Sequence, residues 1–178
     1  MKQTAKNVSP MSNEVRNAYV TQHLTDAMLT LLKRKPIHEI SISELCDLAG
    51  VGRASFYRNY ESREAIVTEY LKNISREWAD EYIKEPDMPL NRLIHDVFAH
   101  LENHLDFYRC LSGQHLVHLL KDVLTDILGP KPEQTDAATA YATAFVTYTL
   151  YGWIEVWFQR GMQETAAEMA ELFRAHGL

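Results

Sequence analysis

The 178-residue chain is poor in the residues that break or cross-link a fold. It has only two cysteines, seven glycines and six prolines. Cys46 and Cys110 supply neither a disulfide framework nor a zinc spacing, and they suit a reducing compartment. Glycine and proline are scarce, and several of the prolines lie between periodic segments. Both features favour long helices over a many-turned β fold.

The sequence also lacks the motifs of common enzyme classes and of export. It has no HExxH pair, no nucleophile elbow and no phosphate loop, so nothing supports catalysis or a cofactor. The N-terminal stretch MKQTAKNVSPMSNEV has no apolar core and is not a signal peptide. Residues 137–154 carry no charge, but threonine, alanine and tyrosine dilute them, which predicts a buried helix rather than a membrane span. We therefore expect a cytoplasmic protein that is not an enzyme.

Charge is unevenly distributed along the chain. Residues 1–64 hold nine Lys and Arg against seven Asp and Glu, whereas residues 65–178 hold nine against seventeen. The first third is thus mildly basic in a chain whose formal net charge is −6. A basic head on an acidic body indicates that only the head meets a polyanion.

Helical periodicity covers most of the sequence. Apolar stripes, caps and proline stops predict an all-α fold with helices over about 13–35, 42–49, 53–59, 63–85, 89–109, 113–128, 137–160 and 166–173. The stretch 129–135, GPKPEQT, is the clearest loop. The predicted domains are a flexible arm over 1–12, a small helical head over 13–62 and a larger helical body over 63–178.

The segment 41–66, SISELCDLAGVGRASFYRNYESREAI, has the order of a helix-turn-helix. Ser41 and Glu44 form a capping box at the start of the first helix. Gly50 suits a left-handed helix end. Phe56 is placed to anchor the second, shorter helix from beneath. A capped helix, a glycine-bounded turn and a polar second helix together predict a DNA-binding motif.

The first 66 residues resemble the N-terminal DNA-binding region of the TetR family of bacterial transcription regulators. The stretches ISISELC, AGVGRASFYRNY and SREAI follow the family pattern in order and without gaps, and YGWIEVWFQRGMQETAAEMAELF resembles the Trp-rich end of a short TetR-like subgroup. Gly52 departs from the family, which mostly has a polar capping residue there. The resemblance implies an all-helical homodimer with a three-helix head and a body that encloses a small-molecule pocket.

The second helix of the motif carries the side chains that we expect to read bases. Arg53 is the first choice, because a guanidinium pairs bidentately with guanine O6 and N7. Ala54 and Ser55 can meet a thymine methyl or a base edge. Arg58 can contact either a base or a phosphate.

Phosphate contacts are expected around these positions. The resemblance implies that Tyr57, Asn59 and Arg63 hold the DNA backbone. Ser43, in the first turn of the preceding helix, can offer its hydroxyl to a phosphate.

The body carries two further predicted contact sets, both aromatic and apolar. Crowding on the last two helices predicts half of a four-helix dimer interface, made by Tyr151, Trp153, Val156, Trp157, Met169, Leu172 and Phe173. The resemblance implies a ligand pocket, for which the candidates are Trp78, Tyr82, Phe98, Phe107, Tyr141, Phe145 and Tyr148. His100 and His104 have a zinc-compatible spacing, but no second motif completes a site, so no metal is predicted.

The function that these patterns indicate is a ligand-responsive repressor that binds a pseudo-palindromic operator as a homodimer. Two recognition helices about 34–36 Å apart would enter successive major grooves. Two alternatives remain open at this point. One is a dimeric module that binds a small molecule or a protein without effective DNA binding. The other is a small helical enzyme that uses the histidine-rich helices.

Overall fold

A computed structural model of the chain describes residues 13–85, 88–131 and 136–175. Within these ranges it has nine α-helices, one 3-10 turn and no strand, which confirms the all-α prediction. The predicted arm over 1–12 and most of the loop over 129–135 lie outside the described residues. The chain divides into two compact units, Met1–Ile66 and Val67–Leu178.

The helices follow one another with short connections. In chain order they are α1 (Asn13–Leu32), the 3-10 turn (Ile37–Glu39), α2 (Ile42–Ala49), α3 (Arg53–Asn59), α4 (Arg63–Lys84), α5 (Leu90–Asn103), α6 (Leu105–Gly113), α7 (Val117–Leu128), α8 (Ala137–Gln159) and α9 (Ala166–Ala175). None of these helices is both long and apolar enough to cross a bilayer.

The first unit, which we call the head, packs α1, α2 and α3 around one small core. The apolar stripe of α1 ends in Leu31 and Leu32, and both are buried. They meet the buried faces of α2 and α3, to which Leu45 and Phe56 contribute fully enclosed side chains. The three-helix head that the sequence predicted is therefore present.

The second unit, which we call the body, contains two closely packed helix pairs. Helix α5 packs along α9, and α7 packs along α8. Glu102 joins the first pair, because its carboxylate accepts a hydrogen bond of 3.1 Å from the backbone N–H of Ala166 at the start of α9. Phe98 of α5 also meets Trp157 of α8 edge-on, with ring centroids 5.5 Å apart.

The long fifth helix predicted over 89–109 is wrong, because the structure breaks it into α5 and α6 at His104. That residue has φ −115° and ψ 25°, outside the helical range. Apolar spacing continues across the break, so periodicity did not reveal it. Tertiary packing accounts for the two pieces: Tyr108 of α6 is fully buried and its hydroxyl lies 2.9 Å from Nε2 of His100. The next helix begins at Val117 rather than 113, after a turn in which His115 has a φ of 58°.

Candidate nucleic-acid interface

The start of α2 is fixed by the cap that the sequence predicted. The hydroxyl of Ser41 accepts a hydrogen bond of 3.1 Å from the backbone N–H of Glu44. The ammonium of Lys35 pairs with the Glu44 carboxylate, and this hydrogen bond, aided by the backbone N–H of Ser41, lowers the pKa of that carboxyl. The cap and the ion pair fasten the N-terminal end of α2 to the segment that follows α1.

The turn between α2 and α3 depends on one left-handed residue. Gly50 has φ 66° and ψ 30°, and the N–H of Val51 returns to the carbonyl of Cys46 at 3.0 Å. This is the Schellman helix end that glycine allows at low cost. Gly52 has an ordinary φ of −75° and precedes α3 without a side-chain cap. A side chain at position 52 would meet open space, so nothing in the backbone requires glycine there.

Helix α3 is held from beneath by two aromatic rings. Phe56 is fully buried, and the ring of Tyr60 lies 6.2 Å from it, also buried. Because apolar burial fixes one side of this seven-residue helix, the opposite side must face solvent. The prediction that Phe56 anchors the helix is thus confirmed.

The outer face of α3 presents Arg53, Ala54, Tyr57 and Arg58, all exposed. Tyr57 is 63% exposed although its ring packs edge-on against Phe56. Arg53 reaches back toward α2, where its Nη1 lies 3.5 Å from the hydroxyl oxygen of Ser43. Two guanidinium groups, a phenol and a methyl group therefore share one face of a single short helix.

Two other predicted residues of α3 lie at its flank. Ser55 and Asn59 are half-buried, and the side-chain amide of Asn59 donates to the carbonyl of Ser55 at 2.8 Å. In this arrangement the Asn59 amide supports the last turn of α3. Its predicted phosphate contact would require that hydrogen bond to be exchanged.

Arg63 occupies a different environment from the expected phosphate contact. Its Nη1 donates to the carbonyl oxygens of Ile37, His38 and Ile40 at 3.0, 3.0 and 2.7 Å. These carbonyls belong to the 3-10 turn and to the residue after it, where helical hydrogen bonds end. The guanidinium thus fastens the first residue of α4 to the base of the head. Sequence spacing could not reveal a contact between residues 23 to 26 positions apart.

The predicted pocket residues of the body differ widely in exposure. Trp78 and Phe98 are buried, and Phe107 meets Tyr70 edge-on with centroids 4.9 Å apart. By contrast, the three aromatic residues of α8 are largely exposed, with exposed fractions of 79%, 52% and 51% for Tyr141, Phe145 and Tyr148.

The predicted interface residues also separate into two groups. Trp157, Met169 and Phe173 are buried within the protomer. Val156 and Leu172 are exposed, at 52% and 43%. The two remaining members, Tyr151 and Trp153, are half-buried.

A cavity of about 380 Å³ lies between α8 and α9 beside the two exposed members. It is lined by Gly152, Trp153, Val156, Trp157, Arg160, Glu164, Met169 and Leu172. In the described part of the chain, no group of three or more His, Cys, Asp or Glu side chains is placed to hold a metal ion.

A capped helix, a left-handed glycine turn and a second short helix with a polar outer face define a helix-turn-helix regulator of transcription, whose function is to bind DNA. Matches to known families then give the particular class. Residues 24–70 match the model described as bacterial regulatory proteins of the tetR family, and residues 89–175 match one described as a transcriptional regulator C-terminal region. The chain belongs to the TetR family, so the resemblance stated above is confirmed.

Three solved structures are similar to this chain at low sequence identity. A TetR transcriptional regulator from Streptococcus agalactiae 2603V is 15% identical, with 90% of this chain and 94% of that chain covered and a TM-score of 0.57. The repressor AlkX from Dietzia sp. strain DQ12-45-1b is 17% identical, with 84% and 88% covered and a TM-score of 0.44. The fatty acid degradation regulator FadR from Bacillus halodurans is 15% identical, with 85% and 90% covered and a TM-score of 0.47. Among curated proteins, none matches the chain.

Proposed function

We propose that this regulator is a repressor that binds a pseudo-palindromic operator as a homodimer and releases it when a small molecule occupies the body. The observation that carries the DNA-binding part is the outer face of α3. Arg53, Ala54, Tyr57 and Arg58 are exposed there while Phe56 fixes the helix in the head. A rigid helix with a narrow polar face is the form in which proteins enter a major groove.

The four exposed side chains suit two different tasks. Arg53 lies in the first turn of α3, and N-terminal residues of a recognition helix contact base edges. Tyr57 lies one turn later, and a phenol can donate to a phosphate. We therefore assign base reading to Arg53 and backbone contact to Tyr57, with Arg58 as a second cation for the phosphates.

Selection from a randomised duplex pool, followed by fluorescence anisotropy, tests this assignment. Arg53→Ala should relax the preference at one base position, at a cost of about 1–3 kcal/mol for the preferred base. Tyr57→Phe should weaken binding to all sequences alike. The matched control is Arg109→Ala, which removes an exposed arginine of the body. If Arg53→Ala weakened every sequence equally, the assignment would be wrong, and absence of a selected sequence would contradict operator binding itself.

Dimerisation is supported by an exposed apolar stripe along α8. Tyr141, Phe145, Tyr148 and Val156 recur at intervals of four, three and eight residues, which places them on one face of the helix. Leu172 of α9 is also exposed and lines the same cavity as Val156. Surfaces of this kind mark protein interfaces, and identical patches pair about a two-fold axis. The proposed interface therefore includes three aromatic residues that the sequence had placed in a ligand pocket.

Sedimentation velocity of charge variants tests this interface. Phe145→Glu and Val156→Glu should each give monomers, because a carboxylate cannot be buried without a partner. Glu69→Lys changes charge at an exposed position of α4 and serves as the control. Dimers that persist in both variants would move the interface to another surface.

A further inference from the structure

We propose that the cavity between α4 and α5 binds a small organic cation. This inference deepens the ligand-responsive part of the proposed function and rests on it. The cavity measures about 240 Å³ and belongs entirely to the body. Its lining comes from two helices and is mainly polar or aromatic: Trp78, Glu81, Asp96, Ala99, His100, Asn103 and His104.

The charged side chains in this lining are all acidic. Neither lysine nor arginine contributes to the cavity wall. The carboxylate of Glu81 has no cationic partner in the part of the chain that the structure describes. Asp96 is shared with Arg92 and His95, at 3.6 and 3.1 Å, but neither of these lines the cavity. An anion would therefore be repelled from this site, whereas a cation would find one free carboxylate and one partly neutralised carboxylate.

His100 adds an aromatic surface rather than a positive charge. Burial, and to a smaller extent the neighbouring His104, lowers the pKa of His100 to about 4, so the ring is neutral near neutral pH. Its Nε2 is hydrogen-bonded to the Tyr108 hydroxyl at 2.9 Å. The rings of His100 and His104 lie 4.7 Å apart, and Trp78 lies 6.4 Å from His100. Three aromatic rings therefore line the cavity, and His100 adds no positive charge to it near neutral pH.

Trp78 supplies a second and independent indication of a ligand. Its side chain is 93% buried, since only 7% of the residue is exposed, yet its indole N–H has no hydrogen-bond partner among the described residues. Buried donors without partners are rare, and each carries a free-energy cost. Ammonium and amidinium groups carry only hydrogen-bond donors, so a water that accepts from both the ligand and the indole N–H would remove that cost. The indole ring is also the side chain whose face attracts cations most strongly. The ligand that fits is thus a small, planar or aromatic amine or amidine.

Isothermal titration calorimetry with three probes of similar size tests whether the cavity prefers cations to neutral molecules and anions. Benzamidine is cationic, benzamide is neutral and benzoate is anionic. Benzamidine should bind with a Kd of about 1 mM or lower, and benzoate should show no heat of binding up to about 10 mM. Glu81→Gln should weaken benzamidine binding about three- to fivefold. The matched control is Glu85→Gln, four residues further along the chain and just after α4, because that carboxylate pairs with Arg92 and does not line the cavity.

Two-dimensional NMR locates the bound probe. The indole N–H signal of Trp78, assigned by its loss in Trp78→Phe, should move during the benzamidine titration. The signal of Trp157 should stay in place, because its N–H is bonded to the carbonyl of Glu164 at 2.9 Å. The proposal is overturned if no probe binds, if benzoate binds as well as benzamidine, if Glu85→Gln has the same effect as Glu81→Gln, or if the Trp78 signal does not move.

These titrations contain no DNA, so they separate the two proposals. A protein that binds benzamidine at Trp78 but no operator would refute the proposed regulatory function and leave the cavity assignment standing. A protein that binds its operator but no cation would refute the cavity assignment alone.

Discussion

Replacing Arg63 distinguishes a structural contact from a DNA contact, because the two roles predict opposite results in two measurements. Its Nη1 lies within 3.0 Å of three backbone carbonyls of the head. One Nη1 atom has two hydrogens, so the geometry corresponds to about two charge-assisted hydrogen bonds, one of them shared. Arg63→Met removes these hydrogen bonds and the charge, whereas Arg63→Lys keeps the charge on a group that cannot reproduce the guanidinium geometry.

The expected loss in stability follows from these contacts. A hydrogen bond to a charged group contributes about 1.5–3 kcal/mol. Because Arg63 is half-buried and water can reach part of the site, we reduce the sum for two bonds to about 1–3 kcal/mol. For a chain of this length, that loss lowers the Tm by about 2–12 °C. Both variants should lose stability, with Arg63→Lys losing less.

Urea unfolding and the salt dependence of operator binding together give the answer. A phosphate contact contributes about 0.9 to the slope of log K against log salt concentration. If Arg63 is a structural contact, Arg63→Met lowers the urea midpoint and leaves this slope unchanged. If Arg63→Met instead unfolds at the wild-type urea concentration while the slope falls by about one, the reasoning is refuted and Arg63 contacts DNA.

Three further predictions concern the turn between α2 and α3 and the half-buried His100. Gly52→Ser should raise the free energy of unfolding by about 0.5 kcal/mol, because φ is −75°, the space is open and the serine hydroxyl can cap α3; an unchanged urea midpoint would contradict this. Gly50→Ala should lower the free energy of unfolding by about 1 kcal/mol. The cost comes only from backbone strain at φ 66°, because no neighbouring atom would clash with the added methyl group. An unchanged urea midpoint would contradict this prediction. The folded pKa of His100, about 4, lies below its unfolded value of about 6.5, so the stability this provides is present above the unfolded pKa and decreases as pH falls. Between about pH 7 and about pH 5 the free energy of unfolding should fall by about 2 kcal/mol. His100→Gln should remove this pH dependence, whereas His38→Gln, at an exposed position, should keep it. If the free energy of unfolding varied equally with pH in both variants, the assignment to His100 would be refuted.

Local rules predicted the ends of the helices well, because a cap involves residues three or four positions apart. Ser62 accepts a hydrogen bond of 3.1 Å from the N–H of Ala65, as its position before α4 indicated. At the start of α9, Glu168 accepts from the N–H of Thr165 at 2.7 Å, and the Thr165 hydroxyl accepts from the N–H of Glu168 at 3.3 Å. Both caps follow this local rule, and they fix the starts of α4 and α9.

Contacts between distant residues followed no local rule and were not predicted. The hydrogen bond from Ala166 to Glu102 joins residues 64 positions apart. The break at His104 likewise depends on where Tyr108 packs, and no glycine or proline marks it. For the same reason the cavity at Trp78 did not appear in the sequence: His100 and His104 were recognised as a pair, but the carboxylates that share the cavity come from different turns of two helices.

Helix α8 shows why the sequence pattern alone could not assign the faces of the last two helices. A helix that is apolar on almost every side has no amphipathic pattern to tell its own core from a partner's surface. The structure resolves the ambiguity through Trp157, whose N–H bonds to the carbonyl of Glu164 and whose ring is 1% exposed, so this face belongs to the protomer. The face that carries Tyr141, Phe145 and Tyr148 is therefore the one left without cover. Exposed aromatic rings are costly to hydrate, and pairing this face with a second copy of the chain would remove that cost.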